Sequence, residues 1–446
     1  MRLSRRSLFL AAAAGVLPRF TGAADLSKMI VRSSRPEDLE MPLEGFHEWI
    51  TPVDQFFVRC HTFLPDHVNL SDWRLKLDGV VNQPLTLSMD DIKKLPRVEL
   101  VGVLECAGNG RSFYQPRVPG TQWAFGSVGN ARWTGVRFRD VLQKAGLKDS
   151  AKEILLNGSD TPLGTMPKFQ RTIPVKKALD PDTLLAYDMN GAALPHEHGF
   201  PLRVIAAGWA GDSWVKWLQS IEVLDHDFEG FWMKTAYRHP PNPVAPGTAV
   251  DPAQMVPVTD LNVKSVIATP KDFAKPGRVR ISGTAWSNSS PVAKVDVSVD
   301  GGSTWKPAKL GKDKSQYGWR LFEYDWTATE GKHTLIARAT NAAGQAQPLA
   351  QEWNPSGYLW SVAQPVTVEV TSGTPASPAA ESPSAANHPA GYQAACLTCH
   401  DEGMMVQQRL TRAQWDREVN KMTGWGAKIR PEDKEGILKY LSDKFK

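Results

Sequence analysis

The segment 372–390, SGTPASPAAESPSAANHPA, consists mainly of proline, alanine and serine. Such a composition offers too little apolar surface to bury, so this segment is expected to be an extended, disordered linker outside any packed core. The chain must therefore fold as separate units on either side of it. A chain of 446 residues is also too long for one ordinary core, and two or three domains are expected.

The first long block, residues 40–240, mixes short apolar runs with turn signals. The runs 141–146 and 176–179 indicate short helices, and 203–207 indicates a buried strand. This mixture predicts an α+β domain. The proline-rich segment that follows, 241–258, is expected to be a connector.

Residues 259–371 are rich in alternating apolar and polar positions, which predicts short β-strands separated by turns. Several such strands over a domain of this length favour an immunoglobulin-like sandwich, with a β-barrel as the competing architecture. The clearest candidate strands are 278–282, 295–299 (followed by the turn Asp300-Gly301-Gly302), 334–339 and 366–370.

The last block, 391–446, is short and its pattern is helical. Thr411 and Gln414 have the spacing of a capping box at the start of a helix. Pro431 is expected to begin a second helix. The apolar residues at helical spacing are Trp415, Val419 and Met422 in the first helix and Ile437, Leu438 and Leu441 in the second.

This block opens with Cys396-Leu397-Thr398-Cys399-His400, the spacing of a c-type haem attachment motif. Two intervening residues let both thiols reach one porphyrin edge as thioethers, and the adjacent His400 is expected to ligate the iron. A redox pair or half of a zinc site is the alternative, although no second Cys-x-x-Cys completes a zinc site. The motif therefore predicts a small all-α, cytochrome c-like domain with covalent haem c.

A methionine is the expected sixth iron ligand, because this ligation raises the haem potential. Met422 is the preferred candidate, since it lies at the end of the first helical pattern, whereas Met404 and Met405 lie close to the attachment motif. The alternative for Met422 is a core position, where methionine on an apolar helix face is usually found.

The N-terminal segment 1–23 has the features of a twin-arginine export signal. Arg5 and Arg6 precede an apolar run, 8–17, that is too short to span a bilayer. A periplasmic protein is therefore expected, with no membrane span; an ordinary basic N-terminus is the alternative. Without the four arginines of this segment the formal charge falls from +5 to +1, so charge gives no support to nucleic-acid binding.

A single cysteine, Cys106, lies in the glycine-rich loop 104–111 beside Arg111. A neighbouring cation favours the thiolate form, which a metal ligand or a nucleophile needs. By itself this signal is weak, because a free cysteine is more often a small buried hydrophobic residue.

This loop closely resembles the Cys-Ala-Gly-Asn loop of the sulfite oxidase family, and the resemblance extends from about residue 40 to 370. It implies a sulfite-oxidase-type molybdopterin domain followed by the family's dimerisation domain, and hence a homodimer. Further segments that resemble the family in the same order are 56–61 (FFVRCH), 131–136 (ARWTGV), 184–191 (LLAYDMNG), 198–203 (HGFPLR), 215–218 (VKWL) and 235–238 (TAYR).

The resemblance implies a mononuclear molybdenum held by one molybdopterin dithiolene and by Cys106, whose soft thiolate suits a redox metal. Arg59, Arg111 and Tyr237 would line an anion pocket, because a guanidinium fork suits a tetrahedral oxyanion. The residues that would hold the pterin and its phosphate are His61, Asp160, His198, Arg203, Ser213 and Lys216.

Two positions depart from the family pattern. Gly110 stands where the loop often has an arginine, and Ser356 stands where some members place a pocket arginine. One cation of the anion pocket is then missing, unless Arg320 or Arg238 replaces it. These departures leave the sulfur substrate open.

The function expected from these features is that of a periplasmic sulfite dehydrogenase. Sulfite would be oxidised to sulfate, and electrons would pass through the chain's own haem to a soluble cytochrome c. The alternatives are a sulfane-sulfur dehydrogenase of a thiosulfate-oxidising system, a sulfoxide reductase, and a non-catalytic electron-transfer or binding protein. Nitrate reduction is less expected for an exported chain with a fused c-type haem.

Overall fold

A computed structural model describes residues 26–373 and 388–445. The predicted export signal lies outside the described residues, as does most of the predicted linker. The described residues form a first unit of mixed sheets and short helices, a second unit of strands, and a helical C-terminal unit.

The first unit contains fourteen strands and four short α-helices. The predicted helices correspond to α2 and α3, and the predicted buried strand to β12. The elements are β1 (Ile30–Ser34), β2 (Glu37–Glu40), β3 (Val58–Arg59), β4 (Leu75–Gly79), β5 (Leu85–Leu87), α1 (Met89–Lys93), β6 (Arg97–Glu105), β7 (Val128–Arg137), α2 (Phe138–Ala145), β8 (Glu153–Gly158), β9 (Gln170–Pro174), α3 (Val175–Ala178), β10 (Thr183–Met189), β11 (Ala192–Ala193), β12 (Arg203–Ala206), β13 (Leu218–Leu224), α4 (Phe231–Lys234) and β14 (Arg238–His239).

Two five-stranded sheets carry the core of the first unit. One has the order β11-β10-β7-β6, with β12 also paired to β10, and the other has the order β5-β4-β13-β8-β9. Apolar side chains from both sheets, including Val136, Leu185, Leu77 and Ile221, share one buried cluster. A third, small sheet of β1, β2 and β3 lies outside these two.

The second unit is a sandwich of two sheets and not a single closed barrel. Its strands are β15 (Val256–Pro257), β16 (Lys264–Thr269), β17 (Phe273–Ala274), β18 (Gly277–Trp286), β19 (Val292–Ser298), β20 (Lys306–Pro307), β21 (Lys309–Leu310), β22 (Arg320–Ala328), β23 (Gly331–Asn341) and β24 (Val366–Val370). Their orders are β16-β18-β22-β21 and β17-β24-β23-β19-β20, and β15 pairs with β14 of the first unit. The immunoglobulin-like architecture is confirmed; three predicted strands lie within β18, β23 and β24, and the fourth, 295–299, extends one residue beyond the end of β19.

The C-terminal unit consists of α5 (Tyr392–Cys396), α6 (Gly403–Val406), α7 (Arg412–Gly424) and α8 (Pro431–Lys444). The predicted capping box is confirmed: Gln414 N donates to Thr411 Oγ1 at 3.3 Å, and Thr411 N donates to Gln414 Oε1 at 2.8 Å. Trp415 and Val419 enter the core as predicted, but Met422 is only half-buried and does not belong to it. Its side chain is therefore available for another role.

The C-terminal unit contacts the first unit at three separate places. The β1–β2 hairpin contacts the Cys-x-x-Cys-His loop, as detailed below. Gln122 N donates to Gln407 Oε1 at 2.7 Å, and Thr165 N donates to Trp425 O at 3.1 Å. The Trp425 ring also lies against Trp232, with ring centroids 6.5 Å apart. The C-terminal unit thus packs against the first unit at the hairpin, at Gln122 and at the Thr165 and Trp232 region. Within the described ranges, no helix combines the length and apolarity needed to cross a membrane.

Candidate functional site

The cysteine loop follows β6 and is held by its own backbone. Cys106 N donates to Ser127 O, and Asn109 N donates to Cys106 O, both at 2.9 Å. Gly110 then adopts φ = +88°, a conformation that glycine reaches without strain, and the chain enters a 3₁₀ turn at Arg111. The glycine-rich sequence thus produces a tight loop that presents the Cys106 thiol.

Glu105, immediately before the cysteine, ties this loop to the sandwich. Its buried carboxylate accepts hydrogen bonds from Lys264 Nζ at 2.5 Å, Trp286 Nε1 at 2.8 Å and Asn109 Nδ2 at 3.0 Å. Lys264 and Trp286 belong to β16 and β18 of the second unit. A buried carboxylate requires such partners, because an unpaired one is costly to desolvate. The sandwich therefore helps to position the cysteine.

A cavity of about 80 Å³ lies in front of Cys106. It brings together most of the residues that the sequence predicted for a molybdenum cofactor. Ser213 is an exception, since it is buried nearby but does not line the cavity. The predicted residues that do line it are Arg59, His61, Cys106, Asp160, His198, Arg203, Lys216 and Tyr237.

Polar atoms at this cavity lack protein partners, as a binding site for a polar cofactor requires. His198 Nε2 and Arg203 Nε are buried without a hydrogen-bond partner among the described residues. Arg203 directs its other nitrogens to the backbone oxygens of His198 and Trp214, and no carboxylate in the described part of the chain pairs with it. Burial lowers its pKa to about 9, so the guanidinium remains charged at neutral pH. With Lys216 beside it, this end of the cavity suits a phosphate group.

Cys106 is the metal-ligand candidate at the cavity. No group of three or more histidine, cysteine or acidic side chains that could hold a metal ion occurs in the described ranges. A molybdenum ion would therefore depend on Cys106 together with its pterin. Burial raises the pKa of the Cys106 thiol, and Arg59 only partly opposes this effect. Arg111 also lowers this pKa, as expected of a neighbouring cation, but burial prevails among the protein groups, and a bound metal would supply the further positive charge.

Arg59, at the end of β3, is held by a buried carboxylate. Its Nη1 lies 3.1 Å from Asp38 Oδ1, and it also donates a short hydrogen bond to Cys60 O. Asp38, on β2, is fully buried and accepts a second hydrogen bond from Thr121 Oγ1 at 2.7 Å. The guanidinium is thereby fixed at the cavity with its charge partly balanced.

Tyr237 and His61 form a hydrogen-bonded pair, with Tyr237 Oη 2.6 Å from His61 Nε2. The His61 ring stacks on Phe169 at 4.3 Å. Burial raises the pKa of Tyr237 well above its usual value and, with Arg59, lowers the pKa of His61. Both groups are therefore neutral at neutral pH, and one proton lies between them.

A second cavity, of about 500 Å³, joins this site to the C-terminal unit. Arg111 lines it, donating to Thr121 O at 3.2 Å and lying 5.1 Å from the centre of the Tyr358 ring. The residues from the first unit that line it include Arg59, His61, Cys106, Arg111 and Tyr237. Those from the C-terminal unit include Cys396, Cys399, His400, Met404, Met405 and Met422.

The two departures from the family pattern also lie at this site. Ser356 lines the second cavity, so a cation is absent at that position. A Cβ atom on Gly110 would lie 2.5 Å from Trp360, which explains why no larger residue stands there. The suggested replacements are wrong: Arg320 bonds to Gly311 O and Arg238 bonds to backbone oxygens, and neither lines either of these two cavities.

Several residues of the site were not predicted from the sequence. The most informative is Arg171, which is buried, pairs with Asp212 at 2.6 Å and lies 5.3 Å from the centre of the Tyr237 ring. It follows an ordinary strand pattern in β9, so no local signal marked it. The other unpredicted residues of the site are Asp38, Phe169, Asp212, Trp232 and Tyr358.

Comparison with known proteins agrees with this geometry. Residues 61–232 match the oxidoreductase molybdopterin binding domain, and residues 255–370 match the Mo-co oxidoreductase dimerisation domain. Sulfite oxidase of Arabidopsis thaliana is 31% identical over 358 residues, covering 74% of this chain and 91% of that protein. The chain therefore belongs to the sulfite oxidase family of molybdopterin oxidoreductases.

Two other relatives differ in how much of their length is shared. Mitochondrial sulfite oxidase of Macaca fascicularis is 36% identical over 349 residues, which cover 74% of this chain and 63% of that protein. The chain thus spans less than two thirds of that relative. The crystal structure of the sulfane dehydrogenase SoxCD from Paracoccus pantotrophus matches with a TM-score of 0.66 at 25% identity, covering 83% of this chain and 96% of the other.

Proposed function

We propose that this protein oxidises sulfite to sulfate at a molybdenum–molybdopterin centre held by Cys106 and passes the electrons to a c-type haem on the same chain. One observation carries the proposal: a single cavity of about 500 Å³ is lined by Cys106 and Arg59 and also by Cys396, Cys399 and His400. Both sets of ligand residues face the same space, which suits direct electron transfer between the two centres.

The molybdenum cofactor, when bound, supplies two-electron oxygen-atom transfer chemistry. The chain's own residues bind and orient the anion. Arg59 and Arg111 both line the second cavity and provide two guanidinium groups for an oxyanion. Oxidation of sulfite by water releases two electrons and two protons. The neutral Tyr237–His61 pair can donate a hydrogen bond to the anion and relay a proton away from it.

The haem would be attached through Cys396 and Cys399, with His400 as one iron ligand. Both cysteines have free thiols, and the half-buried His400 lines the cavity. Met422 is favoured as the sixth ligand, because it lines the cavity but lies outside the helical core. Met405 is buried in that core, and Met404 packs against it. The haem would accept electrons singly and pass them to a soluble cytochrome c.

Export by the twin-arginine route and homodimerisation through the sandwich complete the proposal. The first is supported by the sequence of residues 1–23. The second is supported by the match of residues 255–370 to the dimerisation domain. Twin-arginine export usually carries proteins that fold around a cofactor before translocation, which agrees with a molybdenum enzyme.

A sulfane-sulfur substrate is the second candidate. The similarity to SoxCD, which covers 83% of this chain, favours it. The absence of a cation at Ser356 also favours it, because one fewer charge weakens the binding of a small dianion. The two substrates are distinguished by testing sulfite against a protein that carries a sulfane sulfur.

Stopped-flow spectroscopy of the haem α-band after mixing oxidised protein with sulfite tests the proposal. We expect rapid haem reduction in the native protein and none in Cys106→Ser. The matched control is Cys60→Ser, which alters the other thiol that lines the same cavity and should retain rapid reduction. Absence of reduction in protein that contains molybdenum and haem would contradict sulfite as the substrate. Reduction by the sulfane-sulfur carrier alone would establish the second candidate.

A further inference from the structure

The β1–β2 hairpin, Ile30–Glu40, makes an unusually dense set of polar contacts with the C-terminal unit. Asp401, which follows His400, accepts hydrogen bonds from Ser33 Oγ at 3.1 Å and from Ser34 N at 2.5 Å. It also accepts a short hydrogen bond from Ser34 Oγ. Three donors from two consecutive residues thus converge on one carboxylate, which suits a charged acceptor.

The tip of the same hairpin holds the two residues between the cysteines. Arg35 Nη2 donates to Leu397 O at 2.7 Å and to Thr398 O at 3.3 Å. Both carbonyl groups belong to the Cys-x-x-Cys segment itself. The hairpin therefore contacts the backbone of the haem attachment loop and the residue that follows its histidine.

The opposite strand of the hairpin reaches the active site. Asp38 on β2 pairs with Arg59, and Pro36 lines the cavity that both units share. A hairpin of two short strands is thus in contact with the attachment loop on one side and with the anion-binding arginine on the other. Ser33, Ser34 and Arg35 contact the C-terminal unit, whereas Asp38 contacts Arg59. The contacts with the C-terminal unit can therefore be altered without changing the contact with Arg59.

We propose that the β1–β2 hairpin is the docking element that holds the C-terminal unit in one fixed orientation, with its Cys-x-x-Cys-His loop facing the molybdenum site. Arg35, Ser33 and Ser34 are its positioning residues, and Asp401 is their acceptor. The inference rests on the proposed function only in taking this unit to carry the haem. Electron transfer between the centres then occurs in the docked arrangement and does not wait for movement of the unit.

Small-angle X-ray scattering of the intact chain tests docking directly. We expect the native protein to have the radius of gyration of the docked arrangement. Arg35→Glu would place a carboxylate near the carbonyl oxygens of Leu397 and Thr398. Ser34→Glu would place a carboxylate beside that of Asp401, and the two would repel each other. Both positions are exposed, so folding is not at risk. Release of the C-terminal unit would increase the radius of gyration measurably.

The control is Arg412→Glu, which reverses an exposed arginine of the same unit. Arg412 pairs with Glu435 within that unit at 2.6 Å and makes no contact with the hairpin. We expect it to leave the scattering profile unchanged. It thereby separates loss of docking from a general effect of charge reversal.

Internal electron transfer provides the second readout, with the molybdenum centre reduced chemically so that the result does not depend on the substrate. In native protein the rate of haem reduction should be independent of added sucrose. In Arg35→Glu and Ser34→Glu it should fall at least about tenfold, as loss of one or two charge-assisted hydrogen bonds implies, and it should decrease further with viscosity.

The inference is overturned if native protein is already expanded in solution, or if both hairpin variants keep the native scattering profile and rate. It is also overturned if Arg412→Glu has the same effect as the hairpin variants. Haem and molybdenum contents are measured on every sample. Expansion of the variants in protein without haem would support docking while contradicting the proposed function, so the two are tested separately.

Discussion

Replacement of Asp38 by asparagine is expected to destabilise the fold and, at the same time, to tighten anion binding. Asp38 is fully buried and pairs with Arg59, which lines both cavities. Asparagine keeps the size of the side chain and one acceptor oxygen, but it removes the negative charge. Arg59 would then lack its balancing carboxylate, while its position would change little.

The magnitude follows from the burial of the two partners. Two unit charges about 4 Å apart attract by about 4 kcal/mol at an effective dielectric constant of 20. Breaking a fully buried pair costs about 3–5 kcal/mol. The Arg59 side chain is 23% exposed to the cavity, and asparagine still accepts a hydrogen bond, so a loss of about 2 kcal/mol is expected. The unbalanced guanidinium should bind sulfate about tenfold more tightly, which corresponds to about 1.4 kcal/mol.

Urea denaturation measures the first effect, and calorimetric titration with sulfate measures the second without turnover. Glu99→Gln serves as control, because it removes the carboxylate of an exposed pair with Arg132 and should change stability by less than about 1 kcal/mol. If Asp38→Asn is no less stable than this control and binds sulfate with unchanged affinity, the assignment of Arg59 to a carboxylate-balanced anion site is refuted.

Three further expectations concern the supports of the site. Glu105→Ala leaves Lys264 buried without its acid and should lower stability by about 3–5 kcal/mol in urea denaturation, with loss of molybdenum from the purified protein. Gly110→Ala should lower the melting temperature more than Gly191→Ala. Both glycines have a positive φ, but only at Gly110 would the added Cβ atom clash with a neighbouring side chain. Equal decreases in melting temperature would exclude the clash. Burial raises the pKa of Asp212 to about 6, so its folded carboxyl keeps a proton that the unfolded chain loses near pH 4. The stabilisation that this proton contributes is therefore complete below about pH 4 and is lost as the pH rises to about 6. Asp212→Asn should remove this part of the pH dependence in denaturation series, and an unchanged slope would contradict it.

Local sequence patterns predicted the secondary structure well wherever a periodic apolar face decides it. The capping box at Thr411 and the start of α8 at Pro431 both depend on backbone groups within a few residues, and both are confirmed. The alternation over 278–282 in β18 likewise requires only that one face be buried. The site residues were found differently, through motifs that resemble a family, since no local pattern distinguishes Arg59 from a surface arginine.

The electrostatics of the site could not be predicted in this way. Whether Cys106 favours its thiolate depends on the balance between burial and nearby cations, and burial prevails among the protein groups. Neither Arg320 nor Arg238 replaces the absent cation, because backbone carbonyl groups elsewhere in the fold engage both. Arg171 reaches the Tyr237 ring only because β9 and the segment before β14 meet in space.

The sequence by itself predicted the division of the chain at 372–390, most of which lies outside the described residues, and it determined the strands and helices with regular patterns and the candidate roles of Cys106 and of the Cys-x-x-Cys-His motif. These features depend on composition and on neighbours along the chain. Only the tertiary structure decided that Cys106 and the Cys-x-x-Cys-His motif line one cavity. It also decided that the carboxylate of Asp38 balances the charge of Arg59. Distances between residues hundreds of positions apart are set by the packing of whole units, which no local pattern encodes.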